Sequence, residues 1–240
     1  MPDTVGSEVP VVVRLRPEPI APWPHTVFLM VVLGLGAAYG ALRLRVPAAM
    51  GPRAFTYGSS IVLQCLLVGT TIAGLYHRRR FLVGVVGEPA TWRVLPDLAM
   101  GLGVYLAGCA TMLVMGLATW PLHLARPSGV VQALAPHTRA ELALWLLVSL
   151  SAGVGEEFVF RGYLLRQFTR WSGSPAVGIG ASAVLFGCMH FYEGTAAVVV
   201  ITGLGALFAV VAVWRGNLRT VMVAHFLQDA LTGLFLYLHR

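Results

Sequence analysis

The sequence predicts an all-α membrane protein, a polytopic bundle of about seven transmembrane helices (six to eight) around an intramembrane cavity. Three observations carry that expectation. Of 240 residues, 57% are hydrophobic and only 11% are charged, and the mean hydropathy is +0.76, well outside the range of an ordinary soluble domain. Apolar runs of roughly 18 or more residues recur along the chain, each long enough to cross a bilayer. Short alternating segments of the kind that build a β-barrel do not occur.

Residues 1–25 are mixed and proline-rich, with Pro17, Pro19, Pro22 and Pro24 near their end. They read as an N-terminal cytoplasmic tail. The short basic start of a signal peptide is missing, so the first apolar run is expected to stay as an anchor. Runs near 26–42, 56–76 and 98–119 give an N-terminal block of transmembrane helices over 26–140. The longest connection, "PLHLARPSGVVQALAPHTRAE", closes that block. Runs near 141–165, 175–191, 195–214 and 218–238 form a second helical block over 141–238. No internal repeat relates the two blocks, which weighs against a transporter built from duplicated halves.

Charge sets orientation. All 17 basic residues are arginine, and the net charge is +7. The arginines sit mostly between apolar runs, where topology uses them, so nucleic-acid binding is not expected. With a cytoplasmic N-terminus, the inner segments hold Arg14, Arg16, Arg78, Arg79, Arg80, Arg93, Arg161, Arg166, Arg170, Arg215 and Arg219, an inside-positive bias. The expectation is a multi-pass protein of the plasma membrane, in contact with the lipid bilayer. Cys65, Cys109 and Cys188 fall within apolar runs without metal-type spacing and read as buried core thiols.

Chemistry concentrates in "GVGEEFVFRG", residues 153–162. Helical residues one apart point about 100° away from each other, whereas residues four apart share a face. Arg161 can therefore neutralise Glu157, in the favourable order for an ion pair. Glu156 points elsewhere. An unpaired carboxylate at membrane depth costs about 2.5–3.5 kcal/mol on insertion scales. It needs a partner, a proton or a wet cavity, and burial suits it to general-base work. A structural ion network joining helices is the alternative.

Of seven histidines, His25, His77, His123 and His137 lie in or beside loops, and His239 is near the C-terminus. They read as solvated or interfacial. His190 ("FGCMH") and His225 ("VAHFLQD") belong to apolar runs instead. His225 and Asp229 share a helical face. Such a pair can orient an imidazole or supply two ligands to a metal. If the fourth and fifth spans form a hairpin at "TRWSGSP", Glu156 lies roughly 18–20 Å from the turn and His190 roughly 22 Å. His225 lies roughly 10–12 Å in from the same side, after "WRGN". Three helices can thus aim Glu156, His190, His225 and Asp229 into one cavity.

"EEFVFR" (Glu156, Glu157, Arg161), "FGCMH" (Phe186, His190) and "HFLQD" (His225, Asp229) resemble, in order, Glu-Glu-x-x-x-Arg, Phe-x-x-x-His and His-x-x-x-Asn/Asp. These are motifs of the CAAX-protease and bacteriocin-processing (CPBP, or Abi) family of intramembrane endopeptidases, related to type II CAAX prenyl proteases. The resemblance spans about residues 141–235. It implies a helical bundle with a conical cavity open to the cytosol, and a peptide or protein substrate in or at the membrane. Glu156 would activate water, and His190 would position that water or a metal. His225 and Asp229 would stabilise the oxyanion, while Glu157, Arg161 and Phe186 support the site. Prenyl-processing members typically carry Asn where this chain has Asp229. An amide donates to an oxyanion and an ionised carboxylate does not, so Asp229 is protonated, orients His225 or binds a metal. Two imidazoles and a carboxylate would suit Zn2+ with an open fourth position. His190, His225 and Asp229 are its candidate ligands, and Zn2+ stays unassigned because the His-Glu-x-x-His helix of soluble zinc peptidases is missing.

The sequence reading is a membrane endopeptidase acting on a membrane-associated, CAAX-like or bacteriocin-type peptide. A proton-coupled transporter and a non-catalytic membrane scaffold are the alternatives.

Overall fold

The computed structural model describes residues 18–45, 51–77, 83–87, 93–124 and 129–239. All regular structure among them is helical. The seven predicted runs become α1 (Trp23–Arg45), α2 (Arg53–His77), α3 (Val94–Thr119), α4 (Arg139–Ser172), α5 (Pro175–Cys188), α6 (Thr195–Arg215) and α7 (Arg219–Leu238). Six of these are long and apolar enough to cross a membrane, and α5 is shorter. Short turns of helix at Val83–Val86 and Val130–Ala133 sit in connections.

Local chemistry sets the ends of α4, α5 and α6. Thr138 and Glu141 form a reciprocal capping box at the start of α4: Thr138 Oγ1 accepts from the Glu141 amide, and the Glu141 carboxylate accepts from the Thr138 amide, both at 3.1 Å. Gly173 and Gly216 take left-handed φ values of 75° and 66° and stop α4 and α6, the conformation glycine adopts without strain. Pro175 stands in the first turn of α5, where a missing N–H costs nothing.

α4 is the axis of the bundle. It packs against α2 and α7 along its first half and α5 along its last turns. Midway, Phe158–Leu164 winds as a π-helix, every residue of it buried. Single π turns inside α-helices frequently mark functional sites. Close backbone approach needs small residues, as is usual where lipid supplies no hydrophobic drive between helices. A Cβ on Gly153 of α4 would lie 2.9 Å from the Phe226 amide nitrogen and 3.1 Å from the Met222 carbonyl of α7. A Cβ on Gly187 of α5 would lie 2.6 Å from the Val198 carbonyl of α6.

The buried core holds Leu29, Leu75, Val159, Tyr163, Leu164, Phe208 and Val221. Large apolar side chains such as Leu35, Tyr76, Leu95 and Trp214 remain exposed on the outside of the bundle, the surface lipid would cover. Cys65 and Cys188 share that outer surface, and Cys109 is half-buried. The expectation of three core thiols is thereby corrected. Composition cannot distinguish a lipid-facing position from a core one, because both are apolar.

The end of the predicted tail is built into the fold. Ile20 and Ala21 are buried, and α1 begins at Trp23 rather than 26. Gln167 of α4 accepts from the Ile20 amide (2.9 Å) and donates to the Ala21 carbonyl (2.8 Å) and Thr26 Oγ1 (3.0 Å). His25, expected to be solvated, is half-buried. It bonds Tyr163 Oη at 2.9 Å and the Thr70 carbonyl at 2.8 Å, tying α1 to α4 and α2. At the same end, Asp97 in the first turn of α3 binds Arg215 of α6 (3.1 Å) and Arg219 of α7 (2.7 Å). Arg78, Arg79 and Arg80, and the tail up to Pro17, lie outside the described residues.

Candidate active site

The two glutamates divide as helix geometry requires. Glu157 is fully buried, and its Oε1 accepts from Arg161 Nη1 at 2.8 Å. Arg161, equally buried, donates through Nη2 to the Gly205 carbonyl of α6 (3.1 Å) and lies over the Phe186 ring, 4.3 Å from its centroid. Phe208 stands on the other flank at 5.6 Å. The guanidinium is thus neutralised by one carboxylate and cradled by two aromatic faces.

Glu157 has a second task. His225 Nδ1 donates to the same Oε1 at 2.8 Å. A carboxylate can only accept there, so the proton on Nδ1 is fixed and Nε2 becomes the reactive nitrogen. His225 Nε2 faces Asp229 Oδ2 at 3.6 Å and Glu156 Oε2 at 3.9 Å. Both distances exceed a hydrogen bond. The predicted sharing of a face by His225 and Asp229 is observed, but the bond that orients the imidazole comes from α4.

Glu156 is free of the guanidinium. Its Oε1 accepts from Gln64 Nε2 of α2 at 2.6 Å, and its side chain is 20% exposed. Asp229 is more open, at 36%, and its backbone carbonyl accepts from Trp145 Nε1 at 2.9 Å. Thus Glu156, His225 and Asp229 form one polar cluster contributed by α4 and α7.

His190 ends α5. Its Nδ1 donates to the Phe186 carbonyl at 2.9 Å, again leaving Nε2 as the unbonded nitrogen. Phe186 meets both imidazoles edge to face, with centroids 5.0 Å from His190 and 6.0 Å from His225. His190 belongs to the same electrostatic neighbourhood as Asp229 and Glu193. Burial pushes the Glu193 carboxyl up from its ordinary range, and the nearby His190 draws it partly back. Among the described residues, no three His, Cys, Asp or Glu groups converge closely enough to hold a metal ion. No step below therefore runs through one.

The site is closed at one end. Every residue from Glu157 to Leu165 is buried, as are Leu218, which precedes α7, and Val221 and Ala224 within it. Glu156 and Asp229 keep 20% and 36% of their side chains exposed, in contrast to that buried end.

Sequence reasoning missed Gln64 and Glu193. Gln64 is an uncharged amide in an apolar helix 92 residues from its partner, with no spacing to announce it. Glu193 was legible as an acid three residues beyond His190.

With the acid–histidine geometry in place, comparison with known proteins shows what part of the chain is similar to a known family. The family model described as type II CAAX prenyl endopeptidase, Rce1-like, matches residues 138–231. That segment is similar to the Rce1-like family. It carries every site residue named above except Gln64, so the resemblance read from the three motifs holds at the family level. Over 142 residues, the chain is 24% identical to the uncharacterized protein YpbD of Bacillus subtilis (strain 168), covering 58% of this chain and 69% of that protein. No solved structure matches. The Rce1-like segment coincides with α4 to α7, the helices that enclose the site.

Proposed function

We propose that the chain is an intramembrane endopeptidase in which Glu156 takes a proton from water and the resulting hydroxide attacks a peptide carbonyl. The observation that carries this reading is the division between the glutamates. Glu157 is used up by Arg161 and His225, whereas Glu156 stays partly exposed with a single hydrogen bond. A general base needs such freedom: access to water, and no permanent cation holding its charge.

The neighbouring groups fit the remaining demands of hydrolysis. As negative charge develops on the substrate oxygen, donors already in place stabilise it most strongly. A protonated His225 donates from Nε2, with Nδ1 anchored on Glu157. Asp229, 3.6 Å from Nε2, favours that protonated imidazole. In this reading the acid that replaces the usual amide acts through His225 rather than by donating to the oxyanion itself. His190, its Nδ1 fixed by the Phe186 carbonyl, offers Nε2 to position the water or the leaving amine. After bond cleavage, the proton held by Glu156 passes to that amine.

The substrate is proposed as a peptide segment in or at the plasma membrane, CAAX-like or bacteriocin-type. The test compares membrane and secreted peptides from cells carrying the wild-type chain or Glu156→Gln. Glu156→Gln retains a side chain of the same shape at a partly open position. It should keep the wild-type melting temperature and lose cleavage by at least 10²-fold, the lower range for a general base. Retention of full cleavage would falsify the mechanism.

A further inference from the structure

Away from the site, at its closed end, the bundle contains a cavity of about 340 Å³ between the last turns of α4, the start of α5 and the end of α6. Among the described residues, three guanidiniums line it, those of Arg161, Arg166 and Arg170, together with Thr169, Pro175 and Gly216, and no acid does. Arg166 and Arg170 are four apart on α4, so their like charges share a face. Among the described ion pairs, Glu157 is held by Arg161, and Asp97 by Arg215 and Arg219. Arg166 donates to the Val85 carbonyl at 3.1 Å. Arg170 has no ion pair among the described residues.

Two further observations point to an anion. Arg161 is nine-tenths buried and more, and its Nε has no hydrogen-bond partner. The first turn of α5 opens beside the cavity at Pro175, and its N-cap Ser174 supplies no side-chain cap. Uncapped N–H groups at a helix start favour phosphate, as does the dipole behind them. The carbonyl end of α6 at Gly216 opposes this, but Asn217 Nδ2 already donates to the Arg215 carbonyl at 3.1 Å. Arg161 is already paired with Glu157, but the guanidiniums of Arg166 and Arg170 outweigh that partial charge.

We infer that this cavity binds a phosphate group, and that the group belongs to the headgroup of an anionic phospholipid. The surroundings favour lipid over a free ion. Val177 of α5 and Val213 and Trp214 of α6 stand exposed next to it on the outer face of the bundle, where acyl chains would lie. Arginine pairs with phosphate in bidentate geometry, and basic pockets between membrane helices hold such headgroups. Because Arg161 also holds Glu157, a bound phosphate sits one guanidinium away from the carboxylate that orients His225. The inference does not depend on the protease reading, since binding is measured without turnover.

The test uses the full-length chain purified in a neutral detergent. Phosphatidylglycerol, phosphatidylcholine and inorganic phosphate are titrated separately, with native mass spectrometry and thermal melting as readouts. Retention of phosphatidylglycerol at least tenfold above phosphatidylcholine, with a raised melting temperature, is the expected result. The double variant Arg166→Gln/Arg170→Gln should lose that preference. Arg170→Gln alone, which removes no hydrogen bond and leaves folding intact, should weaken it severalfold, and Arg170→Lys should restore part. Equal retention of the two lipids, or Arg170→Gln and the double variant both matching wild type, would overturn the inference. Saturable stabilisation by inorganic phosphate alone, without lipid preference, would overturn the lipid assignment and leave a free-phosphate site.

Discussion

Replacing Glu157 by Gln separates the two glutamates more sharply than replacing Glu156. Glu157 Oε1 accepts both 2.8 Å contacts, from Arg161 and His225, while Oε2 is buried without a partner. A glutamine can keep its oxygen at the Oε1 position, but its NH2 then occupies the Oε2 position with no acceptor. An unsatisfied buried donor costs about 1–3 kcal/mol. The larger loss is electrostatic, because the Arg161 charge stays buried with its counter-charge gone. Breaking a buried pair from one side costs about 3–5 kcal/mol. The variant should therefore melt well below wild type in detergent and cleave little. Adding Arg161→Met removes the stranded charge, and a buried pair replaced by apolar groups is often neutral for stability. The double variant should regain most of the melting temperature and none of the activity, since His225 still lacks its anchor. The assay is a double-mutant cycle on melting temperature, read beside cleavage of one verified substrate. A Glu157→Gln protein that melts and cleaves like wild type would refute the reasoning. So would a double variant no more stable than the single.

Further outcomes can be stated briefly. Gly153→Ala places a methyl against the α7 backbone at Phe226 and Met222. Overpacking of this kind costs about 1–3 kcal/mol, so it should lower both melting temperature and cleavage, whereas Gly180→Ala, with nothing within 4 Å, should change neither. Burial holds the Glu193 carboxyl above its ordinary 4.5. The folded state thus keeps a proton that the unfolded chain releases as pH rises past 4.5, and stability falls across that window. Glu193→Gln should flatten the fall, seen as melts from pH 4 to 7 that converge with wild type only at the acid end. In a cysteine-free background, a membrane-impermeant thiol reagent should reach Phe191→Cys in intact cells and Ser172→Cys only after permeabilisation; the reverse pattern would place the arginine-rich end outside.

That last test bears on an expectation carried by the family resemblance. A cytosolic mouth and a cytoplasmic arginine-rich end place opposite demands on the site if Glu156 is reached from the His190–Gly194 side, since Glu157–Leu165 is buried toward the arginines. The labelling result chooses between them.

What the sequence revealed follows the range of its signals. Seven apolar runs mark seven helices because apolar length is a local property. The Glu157–Arg161 pair and the shared face of His225 and Asp229 were legible because four-residue spacing is local too. That Glu156 stands apart from Arg161 followed from the same geometry. The hydrogen bond from His225 to Glu157 crosses 68 residues, and the one from Gln64 to Glu156 crosses 92; no periodicity encodes either. The π-helical turn at Phe158–Leu164 was likewise invisible, since its residues suit an ordinary buried helix. The thiols were misplaced for another reason: hydropathy reports that a residue avoids water, and lipid and core meet that demand equally.

The brevity of α5 has a consequence for what can be cut. Its 14 residues rise roughly 21 Å, about 9 Å less than the hydrocarbon thickness of a bilayer. His190 therefore ends a helix about 9 Å short of a full crossing. A fully stretched chain covers that drop with about three residues, while an α-helix needs about six. In the proposed reaction, a substrate segment reaching the site across that drop spans it with fewer residues uncoiled than coiled. Selectivity would then begin with how readily a segment unwinds, ahead of which side chains it bears.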